Sequence, residues 1–231
     1  HDINYVVARS VYEAYDGKTR FRPQSSQQML FENGKLGRKS GKGVYDYSAD
    51  TPDPLFVAPD DAPVEVEISD HHDAIAPVVN MAREAGIQTL LNNTLPHDSL
   101  RVAGTVISLG DGRSLASREE VDVLLDHARD YASAPTWIIT ARNDAAAGSA
   151  AGLAQAFGKH VLRITDRPGQ IVLRTLAQLA NAAADAVADK IASAEDIDAA
   201  MRFGAALDLW HKGDLHLDTT TLETVIAGIK S

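Results

Sequence analysis

The sequence predicts a mixed fold, in which helical pieces at both ends flank a short α/β segment. Three observations predict it. Apolar residues recur at helical spacing near the start. Brief β-type runs alternate with helical stretches between residues 64 and 165. From Gly169 onward the periodicity is helical again.

At the start, Ile3, Val6, Val7, Val11 and Ala14 lie three or four residues apart, so residues 2 to 15 read as an amphipathic helix with Asp2 available as its N-cap. The chain opens at His1 inside this pattern, which predicts further chain upstream. A second, shorter helix is expected after Pro23. Met29, Leu30 and Phe31 supply its apolar face, and Gly34 is its stop. The run from Leu36 to Tyr47 is a glycine-rich basic turn leading into alternating aromatics. Between Asp50 and Pro63, four prolines alternate with aspartates and no period survives, so a linker and domain boundary belong there.

Beyond the linker, Val64 to Ile68 alternates as a strand, Asp73 to Ala85 reads as a helix stopped by Gly86, and Ile87 to Leu91 is a second apolar run. Thr105 to Leu109 is a third, closed by Gly110-Asp111-Gly112. Residues 117 to 131 are ambiguous: Ser117 and Glu120 have capping-box spacing, yet Val121, Val123 and Leu125 alternate. Trp137 to Ala141 is strand-like, Ala145 to Phe157 is an alanine-rich helix stopped by Gly158, and Val161 to Ile164 is strand-like. Strand, helix, strand at these lengths predicts parallel crossovers. After Asp166-Arg167-Pro168-Gly169, an elbow by its proline and glycine, Ile171, Val172, Leu176, Leu179 and Ala183 trace one helical face. Ser193 and Asp196 cap a further helix ending near Gly204. The remainder is weakly patterned, with a modest helical signal from Leu222 through Ile229.

Composition narrows the function. The 231 residues carry 22 basic against 32 acidic side chains, a net charge of −10, which disfavours nucleic acid and anionic lipid as partners. With no cysteine, thiolate chemistry and the usual structural zinc sites are excluded. No apolar run is long enough to span a membrane and no secretion signal precedes the first helix, so a cytoplasmic setting is expected. Neither Gly110-Asp111-Gly112 nor Gly41-Lys42-Gly43 completes the Gly-x-Gly-x-x-Gly of a dinucleotide turn, and the phosphate-loop, nucleophile-elbow and His-Glu-x-x-His patterns are missing.

Three features remain. Arg38, Lys39 and Lys42 among three glycines suit either an anion such as a nucleotide phosphate or a solvated turn. His71-His72-Asp73 offers metal-ligand types, but neighbours on a helix face different ways, which favours a surface pair and no metal site. Asn92-Asn93-Thr94 matches a glycosylation triplet that means little without a secretion signal.

Two of these stretches carry a resemblance. The run Gly158 to Arg174 through the Asp166-Arg167-Pro168-Gly169 elbow, with Ala192 to Met201, resembles the junction in 3-hydroxyacyl-CoA dehydrogenases where a nucleotide-binding domain meets an all-helical C-terminal domain. The run Leu36 to Tyr47 is similar to the end of that same helical domain. Here the end precedes the elbow, the order expected of the longer, duplicated members, of the kind acting in phenylacetate breakdown.

The resemblance implies that residues 1–50 finish one helical C-terminal domain of the 6-phosphogluconate-dehydrogenase type and 51–63 are a linker. Residues 64–165 would be a degenerate Rossmann-like segment, and 166–231 a second helical domain, atypical after 204 because the family's proline-glycine-proline turn is absent. It implies NAD-dependent oxidation of 3-hydroxyacyl-CoA, in fatty-acid or phenylacetate breakdown, by the whole protein, with the catalytic histidine and glutamate upstream of His1. The elbow-helix asparagine of the family is replaced here by Leu173. No catalytic or cofactor residue carries over, and no cofactor is expected on this chain alone. Arg38, Lys39 and Lys42 are the substrate-binding candidates, the acyl-CoA being reached through the missing first half, and a homodimer is expected. A non-catalytic dimerisation or small-ligand module is the alternative.

Overall fold

The computed structural model describes residues 1–48 and 54–204 and divides into two compact units between Pro54 and Leu55. The N-terminal unit holds α1 (Asp2–Ala14) and α2 (Ser25–Glu32), with the 36–47 turn beyond. Helix α1 begins at Asp2 itself, with His1 in the cap position, so Asp2 serves as a first-turn acid and not as the cap expected from the pattern. The Tyr5 and Phe31 rings meet at 5.1 Å and join the two helices. Helix α2 starts two residues after Pro23. There Gln24 donates its amide to the Gln27 side chain at 2.8 Å, and Gly34, with a positive φ of 65°, ends the helix.

The second unit is built on one seven-stranded sheet. Its elements in chain order are β1 (Glu65–Ile68), α3 (Ala76–Glu84), β2 (Gln88–Leu91), β3 (Ser99–Val102), β4 (Thr105–Leu109), β5 (Val123–Leu125), β6 (Thr136–Ala141), α4 (Asp144–Ala156) and β7 (His160–Arg163). Helices α5 (Val172–Ala188) and α6 (Ala194–Gly204) follow. The strand order is β2-β1-β3-β4-β5-β6-β7. The two expected parallel crossovers are present, as β1-α3-β2 and β6-α4-β7. The sheet itself is mixed, however, because β1/β3, β3/β4 and β5/β6 pair antiparallel.

Strand β3 lies outside the strand pattern read from the sequence. It forms a hairpin with β4 through Ala103 and Gly104, both at positive φ. Two left-handed residues in a two-residue loop suit the right-handed strand twist, but Ala-Gly lacks the asparagine or aspartate that usually announces such a turn. The ambiguous 117–131 stretch resolves as strand β5, with a single 3-10 turn at Leu115–Ser117 before it in place of a capped helix.

The main core lies where α3 and α4 cover the sheet, and Val78, Val79 and Leu153 meet Ile68, Leu100, Val123, Leu125, Trp137 and Ile139 there. Leu124 and Val106, one residue out of phase, instead join Leu95, Leu115 and Val121 in a smaller cluster. That is the period of two expected of strands covered on both faces. At Ser193 the N-cap half of the predicted capping box forms, the hydroxyl accepting the Asp196 amide at 3.1 Å, while the Asp196 carboxylate accepts from that hydroxyl. The weak signal at 222–229 lies outside the described residues.

Residues 55–61 pack on this sheet. Val57 donates its amide to Val161 O at 2.8 Å, covering the open edge of β7, and Asp60 donates its amide to Gly148 O at 3.1 Å. The chain approaches α4 this closely because Gly148 and Gly152 present no side chain. A Cβ on Gly152 would sit 2.9 Å from the carbonyl oxygens of both Asp60 and Asp61. Gly152→Ala is therefore expected to destabilise the α/β unit by about 2 kcal/mol, since both opposing atoms are backbone and yield poorly. Chemical denaturation followed by tryptophan fluorescence reads it, and an unchanged midpoint would contradict this packing.

Candidate functional site: the crevice at the carboxyl ends of β1, β4 and β5

The pairing directions make β1, β2, β4 and β5 run one way, so the segments leaving β1, β4 and β5 gather along one edge of the sheet. In open α/β sheets this edge is where ligands bind. Two adjoining cavities of about 410 and 380 Å³ lie there, sharing Asp73, Ala74, Leu109 and His127.

Each strand contributes a turn. After β4, Asp111 receives the Arg113 guanidinium at 2.6 Å and lies 3.3 Å from Arg118. Burial pushes the Asp111 carboxyl up, but these two cations outweigh it and hold it below the usual carboxylate range. Arg118, with a side chain only 5% exposed, also reaches Glu120 at 3.0 Å. After β5, His127 donates its Nε2 proton to Gly110 O at 2.7 Å. After β1, the His71 and His97 rings stack at 4.5 Å, and Asp70 lies 3.0 Å from His71 Nδ1, raising the imidazole pKa.

The β1-α3-β2 crossover allows a fit test for a dinucleotide. Counted from the end of β1, the three glycine positions of the pyrophosphate turn fall on Ser69, His71 and Ala74, with Asp70 and Asp73 between them. Side chains stand where the backbone would have to approach phosphate, and two acidic residues lie within the turn. Asp98 occupies one donor of the turn, its carboxylate accepting the Ala74 amide at 2.8 Å just before α3. At the end of β2, where such folds place the ribose-binding acid, stands Asn92, hydrogen-bonded to Glu67. These residues do not fit a bound dinucleotide.

The sequence-derived candidates lie elsewhere. Arg38, Lys39 and Lys42 belong to the N-terminal unit and are all engaged locally. Lys39 pairs with Asp2, Lys42 with Asp46 at 3.0 Å, and Arg38 lies over the Tyr47 ring at 5.1 Å. Lys39 draws the Asp2 carboxyl down to about 2. The Ser48 hydroxyl, followed by Lys42, does the same to Asp46. Positive φ at Gly37 and Gly41 shapes this turn, and a Cβ on Gly43 would strike the Gly37 backbone at 2.9 Å. His71 and His72 diverge, His72 turning to Ser69 O at 2.6 Å. Among the described residues, no three His, Asp or Glu side chains form a metal-holding group.

At the elbow, Asp166 accepts the Leu115 and Ala116 amides at 2.8 and 2.9 Å, and buried Gln170, at a φ of 46°, donates to Leu124 O at 3.0 Å. The 69–74 turn, Asp98 and Gln170 escape a search for glycine signatures. The available signal was positional, namely a turn joining an alternating strand to a helix.

Comparison with known proteins places this architecture. The sequence model of the 3-hydroxyacyl-CoA dehydrogenase C-terminal domain matches residues 1–47 and 169–209, on either side of the sheet-bearing segment. A curated 3-hydroxyadipyl-CoA dehydrogenase of Escherichia coli K12 is 31% identical over 203 residues, covering 88% of this chain. In sequence the chain is thus similar to 3-hydroxyacyl-CoA dehydrogenases, and its residues 1–47 and 169–209 match the C-terminal domain of that family. A crystal structure of 3-hydroxybutyryl-CoA dehydrogenase from E. coli K12 superposes on 99% of the chain with a TM-score of 0.68 and 27% identity. The chain spans 38% of the former dehydrogenase and 44% of the latter, less than half of each.

Proposed function

We propose that this chain serves as part of a cytoplasmic NAD-dependent 3-hydroxyacyl-CoA dehydrogenase, acting in fatty-acid or phenylacetate breakdown, and supplies subunit contacts and part of the acyl-CoA cleft. The observation that carries this reading is the split match to the helical C-terminal domain around an α/β unit whose phosphate turn is filled by side chains. Hydride transfer then belongs to sequence that only the longer relatives share. The exposed apolar stripe Ile3, Val7 and Val11 of α1 supports the role in contacts. Exposed ion pairs such as Lys42–Asp46 stabilise little, so a CoA phosphate could exchange for the carboxylate.

The purified chain is expected to show no oxidation of NADH with acetoacetyl-CoA, while acetoacetyl-CoA raises its melting temperature. Turnover by the chain alone would contradict the division of labour. The second reading, a dimerisation or small-ligand module without chemistry, is favoured by the crevice of about 410 Å³. A melting temperature unmoved by acyl-CoA, together with a dimer in sedimentation, would select it.

A further inference from the structure

The seven-stranded sheet has two edges, β7 and β2, and the chain covers the first with its own segment, Val57 donating to Val161 O. At β2 no described residue does the same. Gln88 and Asn92 donate their amides inward, to Val64 O and Ile68 O on the β1 side, at 3.0 and 2.8 Å. Backbone groups of successive strand residues turn to opposite sides, so the amides and carbonyls of Thr89 and Leu91 point out of the sheet. Among the described residues nothing bonds to them, and Arg83 reaches only the Thr89 hydroxyl, at 3.4 Å.

Proteins blunt such edges with lysine, proline, a bulge or an inward charge, and β2 has none of these. The run from Ile87 to Thr94 carries no charged side chain, on a chain of net charge −10, and Leu91 is 73% exposed.

We propose that the β2 edge is an interface between two copies of this chain, with β2 pairing antiparallel to β2 of the second copy about a twofold axis at Leu90. Three features select a second copy as the occupant. An antiparallel twin offers the matching groups: Thr89 of one strand faces Leu91 of the other, and each such pair exchanges both hydrogen bonds. An uncharged strand can meet itself, whereas a charge on it would lie close to its own sign across the axis. With the β7 edge covered, the pairing consumes the bare edge of each sheet and closes at two copies instead of growing into a fibre. The strand is only four residues long, so the dimer is expected to be weak and concentration-dependent. This surface involves neither α1 nor the residues lining the crevice, and it goes beyond the acyl-CoA reading without depending on it.

The chain contains no cysteine, so one introduced at Leu90 reports on this contact alone. Residues facing each other at a non-hydrogen-bonded antiparallel position have Cα atoms about 4.5 Å apart, within disulfide reach. On mild oxidation, the whole chain carrying Leu90→Cys is expected to form a covalent dimer about tenfold or more faster than the chain carrying Ala116→Cys, an exposed position on the 115–117 turn. Adding Thr89→Pro should remove that advantage; the sheet tolerates this proline because the amide it deletes faces outward. In the wild type, hydrogen exchange of the Thr89 and Leu91 amides should slow about tenfold when the protein concentration is raised about a hundredfold, while Gln88 and Asn92, held by β1, change little. Fast exchange of both amides at every concentration, or Leu90→Cys linking no faster than Ala116→Cys, would overturn the proposal. Slow exchange at every concentration without cross-linking would mean that the chain covers its own edge, which overturns it as well. The wild-type series decides even if a variant fails to fold.

Discussion

Replacing Trp137 by alanine is expected to remove about 4 kcal/mol from the α/β unit, enough to leave much of it unfolded near physiological temperature. Trp137 is 4% exposed near the start of β6. Its ring meets Tyr131 edge-on at 5.8 Å and Phe157 at 5.6 Å, tying the 126–131 turn and the end of α4 to the sheet. Its indole N–H reaches Tyr131 O. Truncation loses the buried area and leaves a cavity that three separate elements would have to close together. Calorimetry reads the loss; a melting temperature within a degree or two of the wild type would mean that the core collapses around the gap.

The second large effect is a pH dependence with an unusual sign. The Asp126 carboxyl, buried just after β5 where it accepts the His127, Ile171 and Val172 amides, is raised by that burial from its ordinary value to about 6, and it binds protons in the folded state that the unfolded chain releases. Its contribution to stability is thus fully present below the unfolded value near 4 and is lost as pH rises through 6. The loss amounts to about 3 kcal/mol if the whole shift is expressed. Asp111 acts oppositely: its lowered carboxyl stabilises at neutral pH and gives that up in acid, so the raw stability curve mixes two signs. The difference between wild type and Asp126→Asn removes the common part. It should move against the wild type by about 2 to 3 kcal/mol between pH 4 and pH 7.5 in urea titrations. A difference that stays constant with pH would show that the amides of His127, Ile171 and Val172 compensate the charge fully.

Legibility in the sequence followed the range of the interactions. Helices α1, α4 and α5 and strands β1, β4 and β6 were readable because their apolar spacing is set within a few residues. Strand β3 was not, because Ser99–Val102 becomes a strand only by lying between β1 and β4, and its Ala-Gly turn carries no strong local mark. The mixed direction of the sheet was not readable for the same reason, since crossover lengths fix β1 against β2 and β6 against β7, as found, and say nothing of how the two pairs are joined. At the site, a search for glycine spacing found only what was missing. The character of the 69–74 turn depends on Asp98 accepting the Ala74 amide at the head of α3, and Asp98 is brought there from 24 residues away.

The measurement that bears most directly on the division of labour is calorimetric titration of the purified chain with NADH. No heat of binding is expected up to millimolar concentration, with Ser69, His71 and Ala74 filling the turn and the Asp98 carboxylate already on the Ala74 amide. Stoichiometric binding in the micromolar range would place a working cofactor site on this chain and contradict the reading of its crevice.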